Sequence, residues 1–376
     1  MTGAVLENKK RCDSKDAERF ATDLFAAHGI SIADSNLAAN VLVSADAAGY
    51  ASHGLARLPV YIEMLESGRL NRSPRIDIKA ELGGCVSVDG ANGLGLVVGP
   101  KALDIAIVRA EEFGCSSVFV GNSNHFGIAS YYGLKAAEKG MICISMTNTT
   151  ACVAPPGCST RLTGTNPISI VGMGKDFPLI SDFSTSTVSY GKLQIAQGSA
   201  DQERVIPSSW AKDINGGPTT DPWAIENGGT LTTLGENIVG AEHKGYCLAV
   251  MVDYLCSVAS GGAMLDDVPQ FVAIDGHNTS NKGASGEGSG HLFICLNIGA
   301  LLGPSSKKRA AQFTDKLENY LMEQPSSRVT IPGKIDHDRR EQALRGGLQY
   351  DEKLLDKLEQ MAGVAGVNPL RQLGDI

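Results

Sequence analysis

The stretch GANGLGLVVG, residues 90–99, decides how the rest of the chain is read. It follows the strand-like run CVSVD (85–89) and leads into a helix-like pattern, which is where a Rossmann unit carries its G-x-G-x-x-G phosphate turn. The spacing does not fit. Gly93, Gly95 and Gly99 give G-x-G-x-x-x-G, and Asp89 precedes the turn, whereas a ribose-binding carboxylate would follow the next strand. The glycines are therefore read as a tight turn into a packed helix.

Outward from that turn, the texture from Cys85 to Gly303 is one of short β-branched runs between glycines: CVSVDG, SVFVG, ICISMTN, PISIVG, PLISDF and LFICLNIG. Helical spacing is interleaved at Pro100–Phe113, Ile128–Lys139 and Gly245–Ser260, a pattern of an α/β or mixed-sheet domain. The flanks read as helices. Ser14–His28 carries Ala17, Phe20, Ala21, Leu24 and Phe25 on one face with Gly29 as a left-handed cap, a second helix runs from Asp34 to Ala48, and a third follows Pro59. After Pro304 the chain is helical again. The glycine-rich stretch NKGASGEGSG (281–290) is read as a flexible loop.

A chain of 376 residues is long for one core and predicts two or more domains. Its 43% hydrophobic and 20% charged composition is that of an ordinary globular protein. A formal charge of -8 disfavours nucleic acid and anionic membranes as partners. With no signal-like start and no apolar run of roughly 18 residues, a cytoplasmic location is expected. The nine cysteines are scattered, most of them in apolar runs. None has a zinc-like spacing, so reduced, mostly buried thiols and no metal are expected.

Three short stretches combine protonatable or cationic residues with glycine. YASHGLAR supplies Ser52, His53 and Arg57, the arginine one helical turn beyond the histidine if the segment is helical, and its planar fork matches a carboxylate. GNSNHFG places Asn124 and His125 between a strand and a helix, where ligands meet backbone N–H groups. GAEHKGYCLAVMVDYL puts His243 and Lys244 at the positive end of an apolar helix, where an anion is welcome. Between them, Asn166 and the cluster Asp182, Ser184, Thr185 and Ser186 are polar groups of the kind that fix amide, ribose or pyrophosphate moieties. Asp182 could equally cap a turn, and a Ser/Thr run could only solvate a loop. Oxidising a secondary alcohol needs a base of near-neutral pKa as the hydride leaves, which a histidine meets.

The segments SHG, GNSNHFG, GTNPISI, DFSTSTVSYGK, PTTDPWAI and HKGYCLAVMVDYL, in this order and spacing, resemble the malate/L-lactate dehydrogenase family, which also contains sulfolactate and ureidoglycolate dehydrogenases and cyclic imino acid reductases. The resemblance runs from about residue 14 to residue 370. It implies a non-Rossmann, mixed-sheet nicotinamide-binding α/β domain (81–304), with a helical domain built from segments 1–80 and 305–376. It also implies hydride transfer between NAD or NADP, NAD being the first choice, and a small 2-hydroxy or 2-oxo acid. The expected protein is a homodimer. Carried over position by position, His125 becomes the candidate acid/base, with His53, Ser52 and Asp182 as further catalytic candidates. Arg57 and Asn124 fall on the substrate side, and Asn166, Phe183, Ser184, His243 and Lys244 on the cofactor side. Phe183 and Ser184 stand where many relatives have Met-Ala, and Cys247 where glycine is common.

Three other readings are weighed. A cyclic 2-imino acid reductase would use the same hydride geometry on a C=N bond. A non-catalytic relative that only binds a small molecule is opposed by the retained His53, Arg57, His125 and Lys244. A Ser52–His53–Asp182 hydrolase triad ranks last, because adjacent side chains diverge on most backbones and no G-x-S-x-G elbow is present.

Overall fold

The computed structural model describes residues 9–198, 204–271, 288–324 and 329–374; most of the glycine-rich stretch 281–290, from 281 to 287, lies outside them. Strand β1 (Lys9–Cys12) leads into α1 (Ser14–Ala27), whose N-terminus is capped by the Asp13 carboxylate. Gly29, just beyond it, has φ +90°, the left-handed geometry read from the sequence. Helix α2 (Ile32–Ala47) starts under the Ser31 hydroxyl. Two single 3-10 turns follow, Ala51–His53 and Leu55–Arg57, and then α3 (Leu58–Glu66) with Pro59 in its first turn.

The central segment contains β2 (Asp77–Leu82), β3 (Cys85–Asp89), α4 (Gly95–Phe113), β4 (Cys115–Ser123), α5 (Ser130–Glu138), β5 (Ile142–Thr147), β6 (Ile168–Gly172) and β7 (Leu179–Phe183). Then come α6 (Tyr190–Gln197), the two-residue strands β8 (Ala211–Lys212), β9 (Pro218–Thr219) and β10 (Thr230–Leu231), α7 (Glu242–Ser257) and β11 (Ser289–Leu296). The chain continues through α8 (Ile298–Leu302), α9 (Ser305–Met322), α10 (Lys334–Gly346), β12 (Leu348–Asp351) and α11 (Glu352–Ala365).

Seven strands form one mixed sheet in the order β2-β3-β4-β11-β5-β6-β7. Only β3 and β4 run parallel, joined by α4; the other pairs are antiparallel. Strand β11 arrives late in the sequence and inserts between β4 and β5. The period of two then explains why its segment Leu292–Leu296 is apolar throughout: Phe293 and Cys295 join the core under α4 and α5, while Leu292 and Ile294 pack with Val252 and Cys256 of α7 on the opposite face. Away from the sheet, β1 pairs with β12 across more than three hundred residues. Of the nine cysteines, Cys12, Cys143, Cys152, Cys256 and Cys295 are buried, Cys85, Cys115, Cys158 and Cys247 are exposed, and all are free thiols.

The glycine turn has a packing role. Helix α4 begins at Gly95, five residues before the expected Pro100, and carries that proline inside it at the loss of one backbone hydrogen bond. The turn lies directly on the loop that bears His125. Gly90 N–H donates to Gly121 O and Asn92 N–H to Asn122 O, both at 2.8 Å. A side chain at Gly95 would overlap the carbonyls of Asn124 and His125. Gly95→Ala should therefore destabilise the protein by about 1–3 kcal/mol, as overpacking does. Gly363→Ala, at an exposed position of α11 with nothing near its Cβ, should be neutral or stabilise by up to about 1 kcal/mol. Denaturant unfolding of the two variants checks both.

Candidate active site

Ser52, His53 and Arg57 do not lie on one continuous helix. Gly54 separates their two 3-10 turns, and Arg57 N–H closes the second by donating to Gly54 O at 2.9 Å. In this geometry the neighbouring side chains converge: Ser52 Oγ and His53 Nδ1 are 2.9 Å apart, contrary to the divergence expected for adjacent residues. Arg57 Nε donates to Ser52 O at 2.6 Å and one Nη to Gln194 Oε1 at 2.7 Å. The other Nη has no partner among the described residues.

His125 is clamped between rings. It stacks on Phe271 at 4.1 Å between centroids, tilted by 8°, and faces His53 at 5.7 Å. Tyr61 Oη lies 2.6 Å from its Nδ1, and Gly127 N–H donates to the same nitrogen at 3.4 Å. A backbone N–H can only donate, so Nδ1 holds the lone pair. The Tyr61 hydroxyl, whose ionisation burial pushes far up, is then the second donor, and the ring proton sits on Nε2.

Both rings are held neutral. Burial pulls His53 down to about 4, with Arg57 adding to the effect, and burial followed by His53, Arg57 and His291 pulls His125 well below its usual value. Arg57 is itself lowered by burial. His53, Arg57 and His125 line a cavity whose empty space, mouth included, is about 730 Å³; Thr147, Thr149, Thr150, Thr165, Tyr190 and Phe271 complete much of its wall.

The other candidates lie outside that lining. Asn124 Nδ2 donates to Asn92 Oδ1 and Gly93 O, tying the glycine turn to the His125 loop. It does line a smaller adjoining recess beside His125. Asp182 accepts from Ser130 N–H at 2.8 Å at the start of α5, the capping role weighed for it, and Ser184 Oγ donates to Ser186 O. Phe183 is exposed. Asn166, fully buried, donates from Nδ2 to Ala249 O and Asp253 Oδ2 and accepts from Thr149 N–H, so its amide is used inside the protein and braces α7. His243 and Lys244 stand exposed in the first turn of α7.

Sequence reasoning missed Tyr61, Phe271, the threonine hydroxyls and Gln194. It also missed His291, buried below the site with Nδ1 2.8 Å from Thr147 Oγ1 and Nε2 2.7 Å from Ser123 Oγ. A histidine inside an apolar strand, GHLFICL, was the available signal for it. Tyr61 in LPVYIEML reads as a core aromatic and carries none.

Residues 12–359 match the malate/L-lactate dehydrogenase family. The chain belongs to that family. It is 36% identical to malate dehydrogenase of Pyrococcus abyssi (strain GE5 / Orsay), over 98% of each chain. It is 32% identical to L-sulfolactate dehydrogenase of Methanocaldococcus jannaschii, over 94% of this chain and 97% of that one. The solved structure of malate dehydrogenase from Pyrococcus horikoshii OT3 matches with a TM-score of 0.83 at 33% identity, covering 98% of this chain and 99% of that one. The protein is accordingly an oxidoreductase of the malate/sulfolactate dehydrogenase type with the mixed-sheet α/β fold of its relatives.

The depressed His53 pKa has a consequence for stability. Between about pH 6.5 and 4 the unfolded chain takes up a proton on His53 that the folded protein refuses, so this group's contribution is undiminished above 6.5 and falls as the pH drops. Wild type should therefore lose stability faster than His53→Gln over that range, by up to about 1.4 kcal/mol per pH unit. Urea unfolding of both proteins at several pH values measures the difference.

Proposed function

We propose that the protein transfers a hydride between a nicotinamide cofactor, NAD in the first instance, and C2 of a small 2-hydroxy or 2-oxo acid. The observation that carries this reading is the pairing, in one cavity, of a half-free arginine fork with a buried neutral histidine whose tautomer is set by two donors. When bound, the cofactor supplies or accepts the hydride.

The rest is done by side chains. The free edge of Arg57 takes the substrate carboxylate, already oriented by Ser52 O and Gln194. In reduction, His125 Nε2–H is a hydrogen-bond donor for the oxygen on which charge develops. In oxidation, the low pKa keeps His125 in its base form throughout the neutral range. Acting as the base requires the other tautomer: the ring proton moves from Nε2 to Nδ1, where the Tyr61 hydroxyl turns from donor to acceptor, and Nε2 is then open to the proton of the alcohol. Phe271, flat against the imidazole, restricts water at that face.

The residues present fit an anionic cofactor at the start of α7. The backbone at Glu242, Gly240 and Ala241 draws the exposed Glu242 carboxyl below its usual pKa, the sign expected where a helix begins. A pyrophosphate would meet the positive end of this helix, with Lys244 and His243 beside it. Asn166 contributes by fixing α7. We also infer a homodimer. Cys247, Met251, Tyr254 and Val258, spaced four, three and four residues apart, form an exposed uncharged stripe along α7, and such a stripe is complementary to its own copy across a two-fold axis.

The decisive experiment follows nicotinamide absorbance with a panel of 2-oxo acids and cyclic imines, each with NADH and NADPH. Turnover of a 2-oxo acid is the expected result; turnover of imines alone would replace the reading with a reductase of C=N bonds. On the best acid, His125→Ala should lower kcat by about a hundredfold or more with cofactor binding retained. Near-native turnover in His125→Ala with loss in His53→Ala would transfer the proton to His53. Arg57→Lys should cost roughly 1.5–3 kcal/mol in kcat/KM on the acid and little on its amide. Equal losses on acid and amide would remove Arg57 from the carboxylate.

A further inference from the structure

We propose that Asp46 is the positioning residue of the site: its carboxylate holds the paired 3-10 turns that carry His53 and Arg57, through the Leu55 N–H and by direct contact with Gly54. The inference rests on the functional reading above and adds a residue that touches neither the cavity nor a ligand.

Asp46 lies in the last turn of α2. One of its carboxylate oxygens accepts from Leu55 N–H at 2.9 Å and from the Tyr350 hydroxyl at 2.8 Å. Leu55 begins the second 3-10 turn, so the bond fixes the backbone midway between His53 and Arg57. The other oxygen packs against Gly54, where any Cβ would overlap the carboxyl group. Gly54 has φ -93°, outside the left-handed region that favours glycine, and the carboxyl beside it excludes a side chain whatever the backbone angles.

The group is expensive to keep. Burial pushes its pKa up to about 7, with the Leu55 N–H and Tyr350 hydroxyl acting against that rise, and no cation pairs with it among the described residues. An apolar side chain would fill the space without that penalty but could not accept the Leu55 N–H. Tyr350 comes from β12, so the strand pair β1–β12 supports the turn through this hydroxyl.

Four variants test the assignment: Asp46→Asn, Asp46→Ala, Gly54→Ala and the double variant Asp46→Ala/Gly54→Ala. Asp46→Asn keeps an acceptor of the same shape and should stay within about threefold of wild type. Asp46→Ala should lose tenfold or more in kcat/KM on a 2-oxo acid, with the rise in KM for the acid exceeding that for the cofactor. The double variant should lose less than the product of the two single losses, because removing the carboxyl makes room for the new methyl.

The ring resonances of His53, assigned with His53→Gln, give a readout that needs no turnover. They should shift in Asp46→Ala and in Gly54→Ala, and hardly in Asp46→Asn. If Asp46→Ala fails to fold, Tyr350→Phe takes its place: it loses one of the two hydrogen bonds and should move the same resonances by a smaller amount. Unmoved His53 resonances, Asn as damaging as Ala, or strictly multiplicative losses in the double variant would each overturn the assignment. Shifted resonances in a protein that turns over no 2-oxo acid would instead uphold the positioning and reject the functional reading.

Discussion

The close seating of the turn 90–95 on the segment 121–125 is the contact on which the rest of the structure depends. Without side chains at Gly90 and Gly95, two backbones come near enough for direct N–H to O=C bonds at Gly121 and Asn122. That approach fixes where β4 ends, where α4 starts and where His125 stands between them. Phosphate-binding glycine turns use the missing side chain to admit a ligand. Here the same property admits a neighbouring loop, and Asn124 fastens it with two further bonds. The glycine spacing departs from the dinucleotide fingerprint because it answers to a different partner.

From that loop the electrostatics of the cavity follow. A guanidinium and two imidazoles are gathered where burial disfavours charge, and the cheapest arrangement is one cation and two neutral rings. The neutral rings can then stack on one another and on Phe271, which two imidazolium ions could not do without strong repulsion. Charge, tautomer and ring packing are thus one solution, set by burial.

Much of the fold is legible in the sequence because it is encoded locally. Strands covered on both faces read as short apolar runs between glycines, and α1 announces both of its ends. What the sequence hides is non-local. KKRC carries three cations in four residues and reads as no strand, yet it pairs with LQYD; β11 slips between strands that precede it by more than a hundred residues. The site divides in the same way. His53, Arg57 and His125 stand out because such side chains are conspicuous beside glycine. Tyr61 and Phe271 are indistinguishable from core aromatics until the fold brings them to the imidazole. The convergence of Ser52 and His53 depends on a 3-10 turn that no periodicity signals, and Asn166 proved to be an internal brace because its three partners come from distant segments.

The pairing of β1 with β12, and the hydroxyl that Tyr350 sends to Asp46, have a meaning for biosynthesis. Chains are made from the N-terminus at about 5–20 residues per second. The segment holding Ser52, His53 and Arg57 therefore leaves the ribosome many seconds before its supporting strand exists. During that interval β1 has an open edge, the surface most prone to pairing with another chain. Its run of lysine and arginine, opaque as a strand signal, is the charge pattern that keeps such an edge soluble until β12 emerges to close it.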